Sequence, residues 1–178
     1  MDLPDGPFDL VYADPPWRYE VTGVRGDPNG HYPTMSLEDI AALPVAGLVA
    51  DDSVLLLWST SPLLVEALQV MDAWGFTYRT QMVWCKDRMG VGYVFRGQHE
   101  TLLYGIRGRP AAPPPAARHP SVLHAPRTRH SAKPEHVRYM IESMYPGARC
   151  VELFARRACR GWVAWGNEAP AEPDLTLF

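Results

Sequence analysis

The sequence predicts an α/β fold: a three-layer domain in which a mostly parallel β-sheet lies between two layers of helices. Short apolar runs alternate along the chain with segments whose apolar residues recur every three or four positions, which is typical of strands followed by amphipathic helices. The run 53–58 is apolar throughout, as expected for a strand that helices cover on both faces. These two observations indicate a mostly parallel sheet.

The strands and helices are predicted in alternation. Strands are expected at 8–13, 53–58, 77–86, 101–106, 150–154 and 161–165. A short first helix opens with Ser36 as its cap, supported by Asp39 three residues later, and stops near Pro44.

Two longer helices complete the predicted pattern. In the first, Ser61 caps the helix, Pro62 occupies the first helical position and Gly75 follows the end. Its expected buried face consists of Leu64, Val65, Leu68 and Met71. The second begins at Pro134 and stops at Pro146-Gly147, and its apolar face consists of Val137, Met140, Ile141 and Met144.

Length and composition indicate an ordinary globular protein. The 178 residues are 47% hydrophobic and 21% charged, so one domain spanning 1–178 is expected. No apolar stretch is long enough to span a membrane, and the acidic N-terminus does not resemble a signal peptide. The 3 cysteines form no CxxC pair and the 6 histidines have no metal-ligand spacing, which favours a cytoplasmic enzyme without a metal.

Positive charge is concentrated in one segment although the net charge is −3. Residues 107–133 contain no Asp or Glu, and their cations are Arg107, Arg109, Arg118, Arg127, Arg129 and Lys133. We expect 127–133 to contact the phosphates of a nucleic acid. The alternative is a solvated loop, which we prefer for the Pro/Ala-rich tract and assign as a mobile connector at 109–120.

The first predicted strand ends at Asp14-Pro15-Pro16-Trp17. Prolines have no N–H, so the carbonyls of this turn are expected to lack local partners and to face outward beside the carboxylate. Such acceptors suit the amino edge of a nucleobase. The alternative is an Asx turn with Trp17 as a core plug. Because ligands of parallel α/β sheets bind beyond the carboxyl ends of strands, the position favours a site.

These residues resemble the signature of the S-adenosylmethionine-dependent N6-adenine methyltransferases, in particular the family named for the seventy-kilodalton subunit of the mRNA adenosine methyltransferase. Further blocks agree in order from residue 8 to residue 168: His31-Tyr32-Pro33-Thr34-Met35, Gly97-Gln98-His99-Glu100, Ser131-Ala132-Lys133-Pro134-Glu135, Glu152-Leu153-Phe154-Ala155-Arg156, Gly161-Trp162 and Trp165-Gly166-Asn167-Glu168. The resemblance implies a Rossmann-like methyltransferase fold with circularly permuted motif order, the catalytic motif preceding the cofactor motif.

The resemblance also implies roles for particular residues. The catalytic set is Asp14, Pro15, Pro16 and Trp17, in which Trp17 stacks on the target adenine. S-adenosylmethionine is expected to contact Asp14, Lys133, Arg156, Asn167 and Glu168. The nucleic acid is expected to contact Trp17, Tyr32, Glu100, Arg127, Arg129 and Ser131. For Tyr32 a loop-packing ring, and for Glu100 a solvated charge, are equally open, whereas Glu152 is expected to be structural.

Three functions remain open at this point. The first is N6-adenine methylation of DNA, which we favour, and the second is the same reaction on RNA. The third is a non-catalytic nucleic-acid-binding partner subunit, against which the intact Asp14 and Lys133 argue. A homodimer or heterodimer is compatible with each, and no membrane partner is expected.

Overall fold

The structure is a computed structural model that describes residues 3–19, 34–92, 94–127 and 132–169. Within these ranges, one sheet contains all the strands. They are β1 (Phe8–Ala13), β2 (Val49–Ser59), β3 (Thr77–Cys85), β4 (His99–Arg107), β5 (Val122–His124), β6 (Cys150–Leu153) and β7 (Trp162–Trp165). The α-helices are α1 (Leu37–Ala41), α2 (Leu64–Ala73) and α3 (His136–Met144).

The sheet is mostly parallel, which confirms the predicted fold class. Its strand order is β5-β3-β4-β2-β1-β6-β7. β1 pairs in parallel with β2 and β6, β6 with β7, and β3 with β5. β4 is antiparallel to both of its neighbours, β2 and β3. The strand that carries the Asp-Pro-Pro-Trp turn therefore lies inside the sheet and not at an edge.

Helices cover both faces of the sheet. Successive residues of β1 enter different cores: Val11 packs with α1 and α2 on one face, and Tyr12 packs with α3 on the other. This alternation follows from the two-residue period of a strand. The same alternation places Asp14, two residues after Tyr12, on the side of α3.

The buried face of α2 agrees with the prediction in part, because Leu64 and Leu68 pack against the core as partly buried residues. Ala67, Val70 and Met71 are buried, whereas Val65 is 64% exposed. Met71 packs directly on β4, where a Cβ at Gly105 would lie 2.7 Å from its sulfur. The missing side chain of Gly105 permits this close approach.

The start of α2 also differs from the prediction. A short 3-10 helix, Ser61–Leu63, precedes it, with Thr60 at the capping position. The Ser61 hydroxyl instead lies 2.8 Å from Nε2 of His99. Gly75 has a φ of 81°, which fits its predicted place after the end of the helix.

The other two helices agree more closely with the prediction. The Ser36 hydroxyl accepts a hydrogen bond from the backbone N–H of Asp39 and caps α1 as predicted. In α3, Val137 and Ile141 are buried as predicted, and Arg138 is buried as well. No helix in the described ranges is long and apolar enough to cross a membrane.

The Pro/Ala-rich segment has defined contacts. It includes a short 3-10 helix, Pro115–Ala117, and the Arg118 guanidinium donates to the carbonyl of Pro113 at 3.2 Å. Nε2 of His119 lies 3.1 Å from the hydroxyl of Ser143 on α3. The tract therefore follows the domain surface beside α3, and its expected mobility remains a prediction.

Candidate active site

The candidate site lies at the carboxyl-terminal edge of the sheet, which is the side where strand ends line up and not the side of an outermost strand. The parallel strands all end there, and β4, which runs the other way, begins there. The edge therefore collects the residues that follow the ends of β1, β3, β6 and β7, together with the second residue of β4. These are Asp14, Lys86, Phe154, Gly166 and Glu100.

The Asp-Pro-Pro-Trp turn is held by backbone hydrogen bonds. The carbonyl of Pro15 accepts from the N–H of Trp17 at 2.8 Å, and the carbonyl of Pro16 accepts from the N–H of Met35 at 2.9 Å. The expectation that these carbonyls lack local partners is wrong, because Trp17 itself reaches back to Pro15. A carbonyl has a second lone pair, so each can still accept from a ligand.

Trp17 lies in the core beneath this turn. Its side chain is 9% exposed, and its indole N–H donates to the carbonyl of Trp58 at 3.1 Å. This environment matches the core plug considered as the alternative, and it leaves little ring surface for a nucleobase. Stacking of Trp17 on the target adenine stays a prediction, and the structure favours a role in holding the turn.

Four charged side chains form an alternating series across the site. The ammonium of Lys133 lies 2.7 Å from both carboxylate oxygens of Asp14 and 3.2 Å from Glu100. Glu100 in turn accepts from Lys86 at 2.5 Å. All four are largely shielded from solvent, so their attraction is stronger than that of a surface pair.

Each group in the middle of this series is held in its charged form. Burial alone would lower the pKa of Lys133, but Asp14 and Glu100 beside it outweigh burial, so its pKa lies above its ordinary value. Burial would raise the pKa of Glu100, but Lys133 and Lys86 outweigh it, so that pKa lies below its ordinary value. The site therefore presents a fixed carboxylate–ammonium arrangement around neutral pH.

Aromatic rings support both lysines. The Lys133 ammonium lies 5.6 Å from the ring centroid of Trp58, and that of Lys86 lies 4.9 Å from the ring of Trp84. The two rings meet edge to face at 6.1 Å. The Trp58 N–H donates to the buried hydroxyl of Tyr12 at 2.7 Å. The lysines thus lie over rigid faces that attract cations.

A second ionic network fixes the helix that follows Lys133. Arg138 of α3 donates to both oxygens of Glu152 on β6, with Nη2 at 2.6 and 2.5 Å. It also contacts Glu135 at 3.3 Å, and Arg157 pairs with Glu135 as well. The pair joins α3 to β6, which agrees with the structural role expected of Glu152.

The loops after β6 and β7 approach each other closely. Phe154 has a φ of 62°, and the N–H of Ala155 donates to the carbonyl of Trp165 at 2.9 Å. A Cβ at Gly166 would lie 2.4 Å from the carbonyl oxygen of Ala155, so glycine is required for this approach.

The structure brings together part of the predicted site. Lys133 contacts both Asp14 and Glu100. The loops after β6 and β7, at the same edge, carry three exposed predicted residues: Arg156, Asn167 and Glu168. The backbone N–H of Arg127 donates to Asp87 at 2.8 Å, beside the end of β3. The predictions for Tyr32, Arg129 and Ser131 fall outside the described residues.

Sequence reasoning missed Lys86 and Arg138. Lys86 belongs to no recognised block, and only the antiparallel register of β3 and β4, with Trp84 opposite Glu100, places it beside the site. A lone cation directly after an apolar strand was the available signal. Arg138 interrupts the apolar face of α3, and a buried arginine on such a face indicates a buried acid opposite it.

The fold and this edge are those of a methyltransferase, and comparison with known proteins gives the family. The family model MT-A70 matches residues 8–168. The chain therefore belongs to the MT-A70 family of methyltransferases.

Curated relatives agree with this assignment. The Type II methyltransferase M.MunI from a Mycoplasma species is 32% identical over 187 residues, which cover 94% of this chain and 80% of that protein. The mouse N(6)-adenine-specific methyltransferase METTL4 is 27% identical, covering 96% of this chain and 39% of that protein. The human N(6)-adenosine-methyltransferase catalytic subunit METTL3 is also 27% identical, over 96% of this chain and 30% of its own length.

Proposed function

We propose that this protein transfers a methyl group from S-adenosylmethionine to the N6 amino group of adenine in a nucleic acid, with DNA as the favoured polymer. The observation that carries the proposal is the Asp14 carboxylate at the end of β1, held by Lys133 at 2.7 Å beside the carbonyl of Pro15. Membership of the MT-A70 family and the names of the relatives support the same reaction.

The adenine amino group needs help from acceptors. Its nitrogen lone pair is delocalised into the ring, so the nitrogen is a weak nucleophile. Asp14 and the carbonyl of Pro15 would each accept one N–H and favour a tetrahedral nitrogen with a localised lone pair. As the N–C bond forms, positive charge develops on this nitrogen and the carboxylate stabilises it more strongly than it stabilises the substrate. The proton leaves after transfer, when the nitrogen has become acidic.

The residues at this edge fit S-adenosylmethionine. When bound, it supplies a methyl group on a positively charged sulfur. An ammonium has three donors, and if the two oxygens of Asp14 share one of them, Lys133 can hold the carboxylate of the methionine moiety in addition to Asp14 and Glu100. Asp14 has lone pairs left for the cofactor ammonium. Arg156, Asn167 and Glu168, which are exposed on the loops after β6 and β7, would contact the ribose and adenine.

The third function considered above, a non-catalytic subunit, finds less support. Such a subunit has no need of a carboxylate and an ammonium that are paired and largely shielded from solvent, with the ammonium over the ring of Trp58. RNA stays the alternative polymer, and a homodimer or heterodimer remains a prediction. We also propose a cytoplasmic location, because Cys85, Cys150 and Cys159 are all free thiols.

Transfer of labelled methyl to single-stranded DNA, duplex DNA and RNA tests the proposal. The native protein should label one polymer, with the label recovered as N6-methyladenine. Asp14→Ala should abolish the label. Tyr139→Ala, on an exposed surface of α3, is a matched control and should keep full activity. If no polymer is labelled and S-adenosylmethionine does not bind, the enzyme assignment is wrong and a binding subunit remains.

A further inference from the structure

The connection between β3 and β4 presents apolar side chains to solvent. We call residues 86–98 the β3–β4 hairpin, of which all but residue 93 are described. Phe95 is 88% exposed, and Val91 and Val94 are 81% and 79% exposed. Among the described residues, Phe95 is the most exposed large hydrophobic side chain. An apolar cluster of this kind marks a contact surface.

Hydrogen bonds give the hairpin a defined shape. At its base, the N–H of Lys86 donates to the carbonyl of Gln98 at 2.8 Å. Further out, the N–H of Gly90 donates to the carbonyl of Gly97 at 2.7 Å, and the Arg96 guanidinium donates to the carbonyl of Gly90 at 3.0 Å. The hairpin is therefore braced along its length.

The turn at the tip requires a glycine. A Cβ at Gly92 would lie 1.9 Å from the carbonyl oxygen of Phe95. A side chain at this position would open the turn. Val94 and Phe95, beside this close approach, are exposed to solvent.

The hairpin rises from the candidate active site. Lys86 at its base pairs with Glu100, which contacts Lys133. At no more than about 3.3 Å per residue, the tip lies within roughly 20 Å of Lys86. A duplex seated with an adenine at Asp14 would place its neighbouring base steps within that range.

The charges around the tip favour a nucleic acid as its occupant. Arg88 and Arg96 are exposed on the hairpin, whereas Lys86 at its base is shielded and paired with Glu100, and the single acidic residue of the hairpin is Asp87. Asp87 already contacts Arg88 at 3.6 Å and accepts from the backbone of Arg127 at 2.8 Å. The described surface beside the apolar tip is therefore positive, as a contact for phosphates requires.

We propose that the β3–β4 hairpin is a wedge that enters the nucleic acid beside the target adenine, with Phe95 stacking on an adjacent base and Arg88 and Arg96 contacting phosphates. The inference rests on the proposed function and adds to it an element of the protein that opens the duplex substrate. An adenine inside a duplex must leave the stack before its amino group reaches Asp14. Apolar side chains inserted at a base step stabilise such an opening. The wedge therefore contributes most on duplex substrates.

Binding and base opening test the wedge independently of catalysis. The native protein and Phe95→Ala are titrated into a duplex that carries 2-aminopurine beside the target position, and anisotropy and fluorescence are recorded. Loss of one aromatic–base stack should weaken duplex affinity by roughly 5- to 150-fold and reduce the fluorescence increase. Tyr139→Ala, a substitution of an exposed aromatic residue on α3, should match the native protein. Arg88→Gln, at a side chain that is 76% exposed, should lower the slope of log affinity against log salt by about 1.

The possible results distinguish failure of the wedge from failure of the proposed function. If Phe95→Ala binds and opens the duplex like the native protein while methyl transfer is intact, the wedge is refuted and the function stands. If Phe95→Ala converts a native dimer into a monomer in sedimentation without changing duplex affinity, the tip is a protein contact and the wedge is refuted. If Phe95→Ala loses duplex affinity but the native protein transfers no methyl group, the wedge stands and the proposed function fails.

Discussion

Substituting Arg138 with methionine should destabilise the whole domain. Arg138 and Glu152 are both buried, and Glu152 accepts from Arg138 at 2.5, 2.6 and 2.9 Å. Arg138→Met removes these bonds and leaves Glu152 buried without its partner, where burial already holds the pKa of that carboxyl above its ordinary value. Breaking a buried pair on one side costs about 3–5 kcal/mol. For a chain of this length, that corresponds to a fall in Tm of about 8–13 °C.

Thermal and urea unfolding followed by circular dichroism measure this effect. Arg157→Met is the matched control, because Arg157 also pairs with Glu135 but its side chain is 58% exposed. It should cost less than about 1 kcal/mol. The double variant Arg138→Met with Glu152→Leu should recover most of the loss, since apolar groups then replace both charges. A Tm for Arg138→Met within 2 °C of the native value, or a double variant less stable than Arg138→Met, would refute the reasoning.

Three further predictions concern the site. Lys133→Met should weaken S-adenosylmethionine binding by roughly 10- to 150-fold in calorimetry, the effect of losing a hydrogen bond to a charged group, and an unchanged Kd would contradict this. Because the pKa of Glu100 lies below its ordinary 4.5 and that of Lys133 above its ordinary 10.5, Glu100 stabilises the fold above pH 4.5 and Lys133 below pH 10.5. Neither contribution should change between about pH 5 and 10 in the native protein, whereas in Lys133→Met the pKa of Glu100 should rise, so the variant's loss of unfolding free energy in urea should become smaller as the pH falls towards 5. Trp17→Ala should destabilise the fold by about 3–5 kcal/mol, because Trp17 is buried in the core, whereas a purely base-stacking role predicts native stability with lost activity.

Much of the fold follows from local sequence patterns. The apolar runs that form β1, β2 and β6, and the caps and stops of α1 and α3, act over a few residues and are visible in the chain. The antiparallel direction of β4 could not be predicted from local patterns, because it depends on the path of the hairpin at 86–98. β5 is short and half exposed at the sheet edge, so it carries little pattern of its own.

The site was predictable where one block carried the chemistry. Asp14, Lys133 and Glu100 come from separate segments, but each lies within a recognisable block, and the structure joins them through Lys133. Lys86 was not predictable, because its role depends on the register between β3 and β4. The environment of Trp17 was not predictable either, because a tryptophan after two prolines suits both a stacking platform and a core plug.

The most direct test of the account is single-turnover methyl transfer by Asp14→Asn, with the Kd for S-adenosylmethionine measured on the same preparation. Asparagine keeps the shape and one acceptor of Asp14 but removes its negative charge. The account predicts a protein that folds normally and forms N6-methyladenine at least about 100-fold more slowly than the native chain, because charge stabilisation at the developing cation is lost. An Asp14→Asn variant that forms N6-methyladenine at the native rate would contradict the account, since the carboxylate would then have no part in the reaction.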